Sequence, residues 1–168
     1  RSSGRAAIVD TTTVQGNCKY VVKNGTTAAG PYRSITSARV QFLDRAPGGD
    51  AAIGSAVNTD AAGHYSAVVP GKRGDGTAVN LVVRVLSFTT SAGTTVAEVG
   101  PAGQRANVYG AEGGPVVVGA ATTTIDVVAG PEKPTQNSAF SIVDAITVAF
   151  NFLRSQNSAT GVGIDPLS

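Results

Sequence analysis

His64 is the only histidine of the chain and Cys18 its only cysteine. Serine hydrolysis needs a nucleophile, a base and an orienting carboxylate within reach of one another. No G-x-S-x-G elbow occurs to present a serine, and His64 stands beside a turn where polar side chains project outward. It reads as an exposed structural residue. One histidine and one cysteine cannot make a tetrahedral zinc set, and the lone thiol reads as a small buried hydrophobe. Carboxylates offer more. Asp44 and Asp50 frame the Gly-rich stretch Asp44-Arg45-Ala46-Pro47-Gly48-Gly49-Asp50, and Asp60 and Asp75 lie in other turns. Hard cations take several oxygen ligands from such loops, so calcium at Asp44, Asp50 and Asp60 is the one cofactor the sequence could hold. The D-x-D-x-D-G spacing that would favour it is missing, and aspartates commonly bond their own downstream backbone in turns.

Other short motifs point to surfaces. Arg73-Gly74-Asp75 spells an integrin-binding tripeptide, which arises easily by chance in a Gly-rich turn. Asn24-Gly25-Thr26 makes Asn24 an N-glycosylation acceptor on an expected exposed turn. The threonine runs 11–13 and 122–124 suit O-modification or plain β-propensity equally. Sugar-binding sandwiches use aromatic platforms. Here there is no tryptophan, and Tyr20, Tyr32, Tyr65 and Tyr109 are scattered. These residues define no catalytic site, and the expectation is a protein that is not an enzyme.

The 168 residues suffice for one domain with a full core and some additional structure. Gly, Ala, Thr and Val dominate, and charged residues are 14% of the chain. That suits a β-rich fold with many turns. A net charge of +2, without a Lys/Arg cluster, gives no electrostatic case for nucleic acid. No run of apolar residues is long enough to span a membrane.

The elements follow from periodicity. Ala38, Val40 and Phe42 alternate with Arg39 and Gln41, and the spacing predicts a strand. The Asp44–Asp50 stretch reads as a loop, and Ile53–Asn58 as a second strand. Thr59–Gly63 reads as a tight turn, with Gly63 free to take positive φ. Tyr65, Ala67 and Val69 predict a third strand. Val14–Val22 is expected to be a strand with a bulge at Gly16, and residues 26–34 a loop. Val79, Leu81, Val83 and Val85 predict the strongest strand; Val82 and Leu86 make its other face partly apolar, so it should be central or covered. A weak strand is expected at Thr94–Val99 and a strand at Arg105–Gly110; Glu112–Pro115 reads as a turn and Val116–Val118 as a short apolar run. Ala121–Val128 is expected to be the last strand. After Pro131 and Pro134 the period becomes helical. Asn137-Ser138 could cap a helix running through Phe140–Ser155. Ile142, Val143, Ile146, Ala149, Phe150 and Leu153 form its apolar stripe, and Asp144, Thr147, Asn151 and Arg154 a narrow polar face. Ala145, Val148 and Phe152 widen the apolar surface beyond what one sandwich face needs, so a second cover is expected. That cover could come from the same domain, a neighbouring domain or another subunit.

The strand A-R-V-Q-F-L-D, the run N-T-D-A-A-G-H-Y-S-A-V-V-P and the later strand V-N-L-V-V-R-V together resemble the prealbumin-like (transthyretin-like) β-sandwich. Its relatives include the carboxypeptidase regulatory-like domain and the collagen-adhesin B-type repeats. The resemblance covers about two-thirds of the chain and implies a stiff, non-catalytic, extracellular module. B-type repeats often carry an internal Lys–Asn isopeptide bond. Lys19 and Lys23 are suitably placed, but the expected last strand A-T-T-T-I-D-V-V offers no asparagine, so solvated lysines are expected. A start at Arg1 fits removal of a leader peptide or a trimmed chain alike; with the resemblance, an extracellular or cell-surface location is favoured.

The fold class expected is mainly β: an antiparallel sandwich of about seven strands with one C-terminal α-helix. Residues 1–13 would be an extension and candidate donated strand, 14–130 the sandwich, 131–137 a linker, 138–156 the helix and 157–168 an extended tail. Assembly contacts are expected at Ala6, Ala7, Ile8 and Val9, at Val148 and Phe152 on the helix, and at Val162, Ile164 and Leu167 in the tail. The function expected is a self-assembling structural subunit of a surface structure or filament, with copies of itself as partner. The rivals are an accessory domain of a larger secreted enzyme such as a hydrolase, whose partner is a neighbouring domain, and an adhesive module that takes a surface ligand on its end loops.

Overall fold

A computed structural model of the chain describes residues 8–23, 29–91, 94–102 and 108–160. The first sheet is built on β1 (Thr11–Lys23). Thr12, Val14, Cys18 and Tyr20 turn inward and are buried, whereas Thr11 and Lys19 face water, the alternation a strand imposes. β1 is long enough to take partners on both edges of both halves. Its first half pairs antiparallel with β6 (His64–Pro70) and parallel with β10 (Thr122–Thr124). Its second half pairs antiparallel with β2 (Ala29–Ser34) and parallel with β11 (Val127–Ala129).

The second sheet centres on β7 (Asn80–Ser91), flanked by β3 (Ala38–Ala46) on one side and by β8 (Thr94–Glu98) and β9 (Gly110–Val117) on the other. β4 (Gly49–Ala52) and β5 (Val57–Asn58) pair with the far edge of β3. Leu81, Val83 and Val85 from β7 and Phe42 from β3 meet Val14, Cys18 and Tyr20 between the sheets. The Phe42 and Tyr65 rings lie 6.0 Å apart at a 50° tilt. Each aliphatic side chain buried in this layer contributes roughly 1.5–3 kcal/mol. The fold is a mostly antiparallel β-sandwich with one C-terminal helix, α1 (Pro134–Thr160). Val82, on the outer side of β7, is fully buried as well.

The turn at Thr59–Gly63 forms as its residues require. Asp60 Oδ1 accepts from Ala62 N at 2.8 Å and His64 N at 2.9 Å, and Gly63 takes φ 76°. Other boundaries differ from the sequence reading. The stretch 44–50 is not an open loop: β3 runs to Ala46 and pairs across Pro47-Gly48 with β4. The strand expected at Ile53–Asn58 is broken by Gly54 at φ 65°, leaving only the short β5. Part of the expected 26–34 loop is β2, and an edge strand tolerates its Pro31 because no ladder donor is needed there. Glu112–Pro115 is not a turn but the middle of β9, whose pairing with β7 shifts register opposite Val82. Residues 103–107 of the expected Arg105–Gly110 strand lie outside the described residues. The single strand expected at 121–128 is two, β10 and β11. The chain crosses Gly16 between them, where Ile125 N donates to Gln15 O at 2.9 Å and the Tyr65 hydroxyl donates to Ile125 O. The sandwich therefore has more strands than expected, and two pairings of β1 are parallel.

Candidate functional site

The carboxylates considered for a cation are held by arginines or by their own turns. Arg73 Nε and Nη2 donate to the two oxygens of Asp44, both at 2.6 Å, and Asn80 N adds a bond at 3.0 Å. The Arg73 guanidinium holds the Asp44 carboxyl below the usual range, against the opposing effect of burial. Asp50 receives Arg45 at 2.9 Å twice and Arg84 at 3.3 Å. Both arginines also reach Glu112 across the outer face of the second sheet. Asp60 is engaged by its own turn, and Asp75 accepts from Thr77 N and Oγ1 at 2.9 and 2.6 Å. Asp44, Asp50 and Asp60 do not converge, and among the described residues no group of three His, Cys, Asp or Glu could hold a metal ion. The Arg73-Gly74-Asp75 tripeptide turns its arginine onto Asp44. His64 is half-exposed, with Nδ1 4.0 Å from Asp60. Burial, with Asp126 nearby, pushes the Cys18 thiol up to about 12, so it is not a nucleophile at neutral pH.

Asp44 and Arg73 close one end of the sandwich, and that closure should depend on acid. A carboxyl depressed in the folded state stabilises it fully above the unfolded value near 3.9, and that contribution is lost as pH falls through the lower folded value. Wild type should exceed Asp44→Asn by about 2 kcal/mol at pH 7, with the gap closing below about pH 4. Thermal melts of both proteins from pH 7 to pH 2 measure this. A gap that stayed constant would locate the stabilisation elsewhere.

The site that stands out is the outer side of α1. Pro134 starts the helix, its missing N–H costing nothing in the first turn. Asn137 does not cap it. Its Oδ1 accepts from Val21 N at 2.9 Å and its Nδ2 donates to Val21 O at 2.8 Å, so one buried amide completes the β1 ladder. Phe140 and Val143 are buried beside it. Asp144 accepts from the Tyr20 hydroxyl at 2.7 Å and lies 3.7 Å from Arg33. Burial and Asp144 push the Tyr20 hydroxyl up to about 12. Thr147 Oγ1 bonds Thr89 Oγ1 at 3.1 Å.

Two residues expected on the polar face, Asp144 and Thr147, therefore face the sandwich. Much of the expected buried stripe faces out: Ile142 is 49% exposed, Ile146 42% and Leu153 52%. Val148 and Phe152, which widened that stripe, are 60% and 61% exposed. On that side Phe140 and Val143 pack inward, and the hydroxyls of Tyr20 and Thr89 satisfy Asp144 and Thr147. Beside the first turns of α1 a cleft of about 380 Å³ opens between Val99, Tyr109, Pro134, Ser138 and Ile142.

The other expected assembly residues are placed differently. Ile8 is 39% exposed, but Val9 packs against the chain's own core. Asp10 O accepts from Gly71 N at 2.8 Å and its carboxylate pairs with Lys72. The described part of the N-terminal segment thus docks on its own sheet. Ala6, Ala7, Asn24, Val162, Ile164 and Leu167 lie outside the described residues. Lys19 faces solvent. No described helix is long and apolar enough to cross a membrane.

Fold and surface together define a β-sandwich carrying a helix with an uncovered apolar side. No family model matches the chain. No curated protein matches it. Among solved structures it is similar to a 9R-lipoxygenase from Cyanothece PCC8801, at 16% identity and TM-score 0.45, covering 77% of this chain and 18% of that one. It is also similar to the major plantain pollen allergen, at 13% identity and TM-score 0.41, covering 71% of this chain and 93% of that one. Likeness at this level carries no argument about activity.

Proposed function

We propose that this chain is a non-catalytic, extracellular structural module that works by self-association through the outer side of α1. One observation carries the reading: five large apolar side chains of one helix, Ile142, Ile146, Val148, Phe152 and Leu153, stand 42–61% exposed. Contiguous apolar surface of this kind marks an interaction site. The T-D-x-x-G-x-Y turn supports a prealbumin-like origin for the sandwich. Sedimentation velocity over a concentration series, with electron microscopy of the same sample, tests the proposal. Wild type should associate at micromolar concentration. Phe152→Glu should weaken association at least tenfold and leave Tm unchanged, because Phe152 touches little of its own domain. A wild-type monomer at every concentration would sink the proposal.

The second reading is an accessory domain of a larger secreted enzyme, with the helix covered by a neighbouring domain. It is favoured by the run of exposed residues 151–156 at the far end of α1. An adhesive role for the end loops has less support, since Asp44, Asp50 and Arg73 are committed to internal ion pairs.

A further inference from the structure

We infer that the partner of α1 is a second copy of the same helix, packed antiparallel about a two-fold axis near Ile146, so that the assembly unit is a closed dimer. The inference rests on the self-association proposed above and specifies its geometry. At 3.6 residues per turn, Ala145 and Ala149 stand on the side of α1 opposite the buried Val143 and Thr147. They form a small-residue spine that allows helix axes to approach to about 8 Å. Ile142, Ile146 and Leu153 flank the spine on one side, and Val148 and Phe152 on the other.

Charge permits the like-with-like contact. Asp144 is the one charged residue between Pro134 and Leu153, and it is turned inward on Tyr20. Two copies can therefore meet without repulsion.

Shape selects the direction. The cleft lined by Val99, Tyr109, Ser138 and Ile142 lies on the Ile142 flank at the start of the helix. Leu153 projects from the same flank at the other end. A two-fold axis between antiparallel helices brings like flanks together. With Ile146 on the axis, Leu153 of each copy falls opposite Ser138–Ala139 of the other, at the mouth of the cleft. A parallel pairing would leave both clefts empty. The exposed ridge offers roughly 500 Å² a side, about 1,000 Å² in the pair, near the lower end of specific interfaces.

Cysteine substitution tests the geometry on the full chain. Native Cys18 is buried and does not interfere. A disulfide needs Cα atoms within about 7 Å, so only positions near the axis can link to themselves. Ile146→Cys should oxidise to a covalent dimer. Leu153→Cys alone should not, but should link to Ser138→Cys when the two proteins are mixed. Efficient self-linking at 153, or an associating protein that links at neither position, overturns the two-fold arrangement and leaves self-association standing. A monomer by sedimentation, with no linking, removes both.

Discussion

Gly16→Ala should lose about 4 kcal/mol of stability, among the largest effects of a single substitution, and lower Tm by roughly 10 °C. The reason is steric. A Cβ at this position would stand 2.0 Å from the carbonyl oxygen of Ile125 and 3.1 Å from the Tyr65 hydroxyl. Backbone occupies the space, so no side-chain rotation relieves the overlap. β1 would have to move away from the crossing between β10 and β11. That movement breaks the Ile125 N to Gln15 O bond and the Tyr65 anchor. Both are buried, and orphaned partners there carry a full desolvation cost. Urea unfolding of the two proteins measures the loss. A change under about 1 kcal/mol, the typical effect of an ordinary substitution, would show that the crossing can shift freely and that the glycine is incidental.

Asn137→Ala should be nearly as damaging, at about 2–5 kcal/mol, for a different reason. It removes a donor and an acceptor at once and leaves Val21 N–H and C=O without partners in a buried place, each worth about 1–3 kcal/mol. Asn137 itself is 2% exposed, so water does not readily replace the amide. The helix should loosen at its first turns while the sandwich holds. Hydrogen exchange would report this as lost protection at Val21 and over residues 137–147, with β7 unchanged. Uniform loss across both sheets would mean that the helix is integral to the sandwich core. Unchanged protection would mean that the amide bonds contribute little.

Several strands of both sheets were legible because period-two alternation survives wherever one face is buried. Val40, Phe42, Leu81, Val83, Val85 and Tyr65 announce their strands this way. The Asp60–Gly63 turn was equally plain, since its chemistry is local. The failures share a cause: they depend on residues remote in sequence. Nothing near Ile125 indicates that Tyr65 will hold its carbonyl and split the last strand. Gly113-Gly114-Pro115 looks like a turn until β7 supplies the ladder beside it. The existence of the helix was visible, but its orientation was not. Hydrophobicity favoured burying Ile142 and Ile146, whereas Asp144 and Thr147 face inward, where hydroxyls on Tyr20 and Thr89 satisfy them. For the candidate site, the sequence showed an excess of apolar surface; only the fold showed which side of the helix carries it.

The placement of β1 also sets a timetable. The strand lies near the N-terminus, yet both of its parallel partners are contributed after residue 121. A ribosome or export channel releasing the chain from its N-terminus delivers β1 long before those partners exist. Until they arrive, one edge of the longest strand is unpaired and available to any other extended chain. The second sheet can begin earlier, since β3, β4 and β7 follow one another closely, but its last strand, β9, ends only at Val117. The protein can therefore start one layer early, and both layers stay open until nearly the whole sandwich has emerged. Such non-local closure slows folding, and the waiting edge is where misassembly between chains would begin.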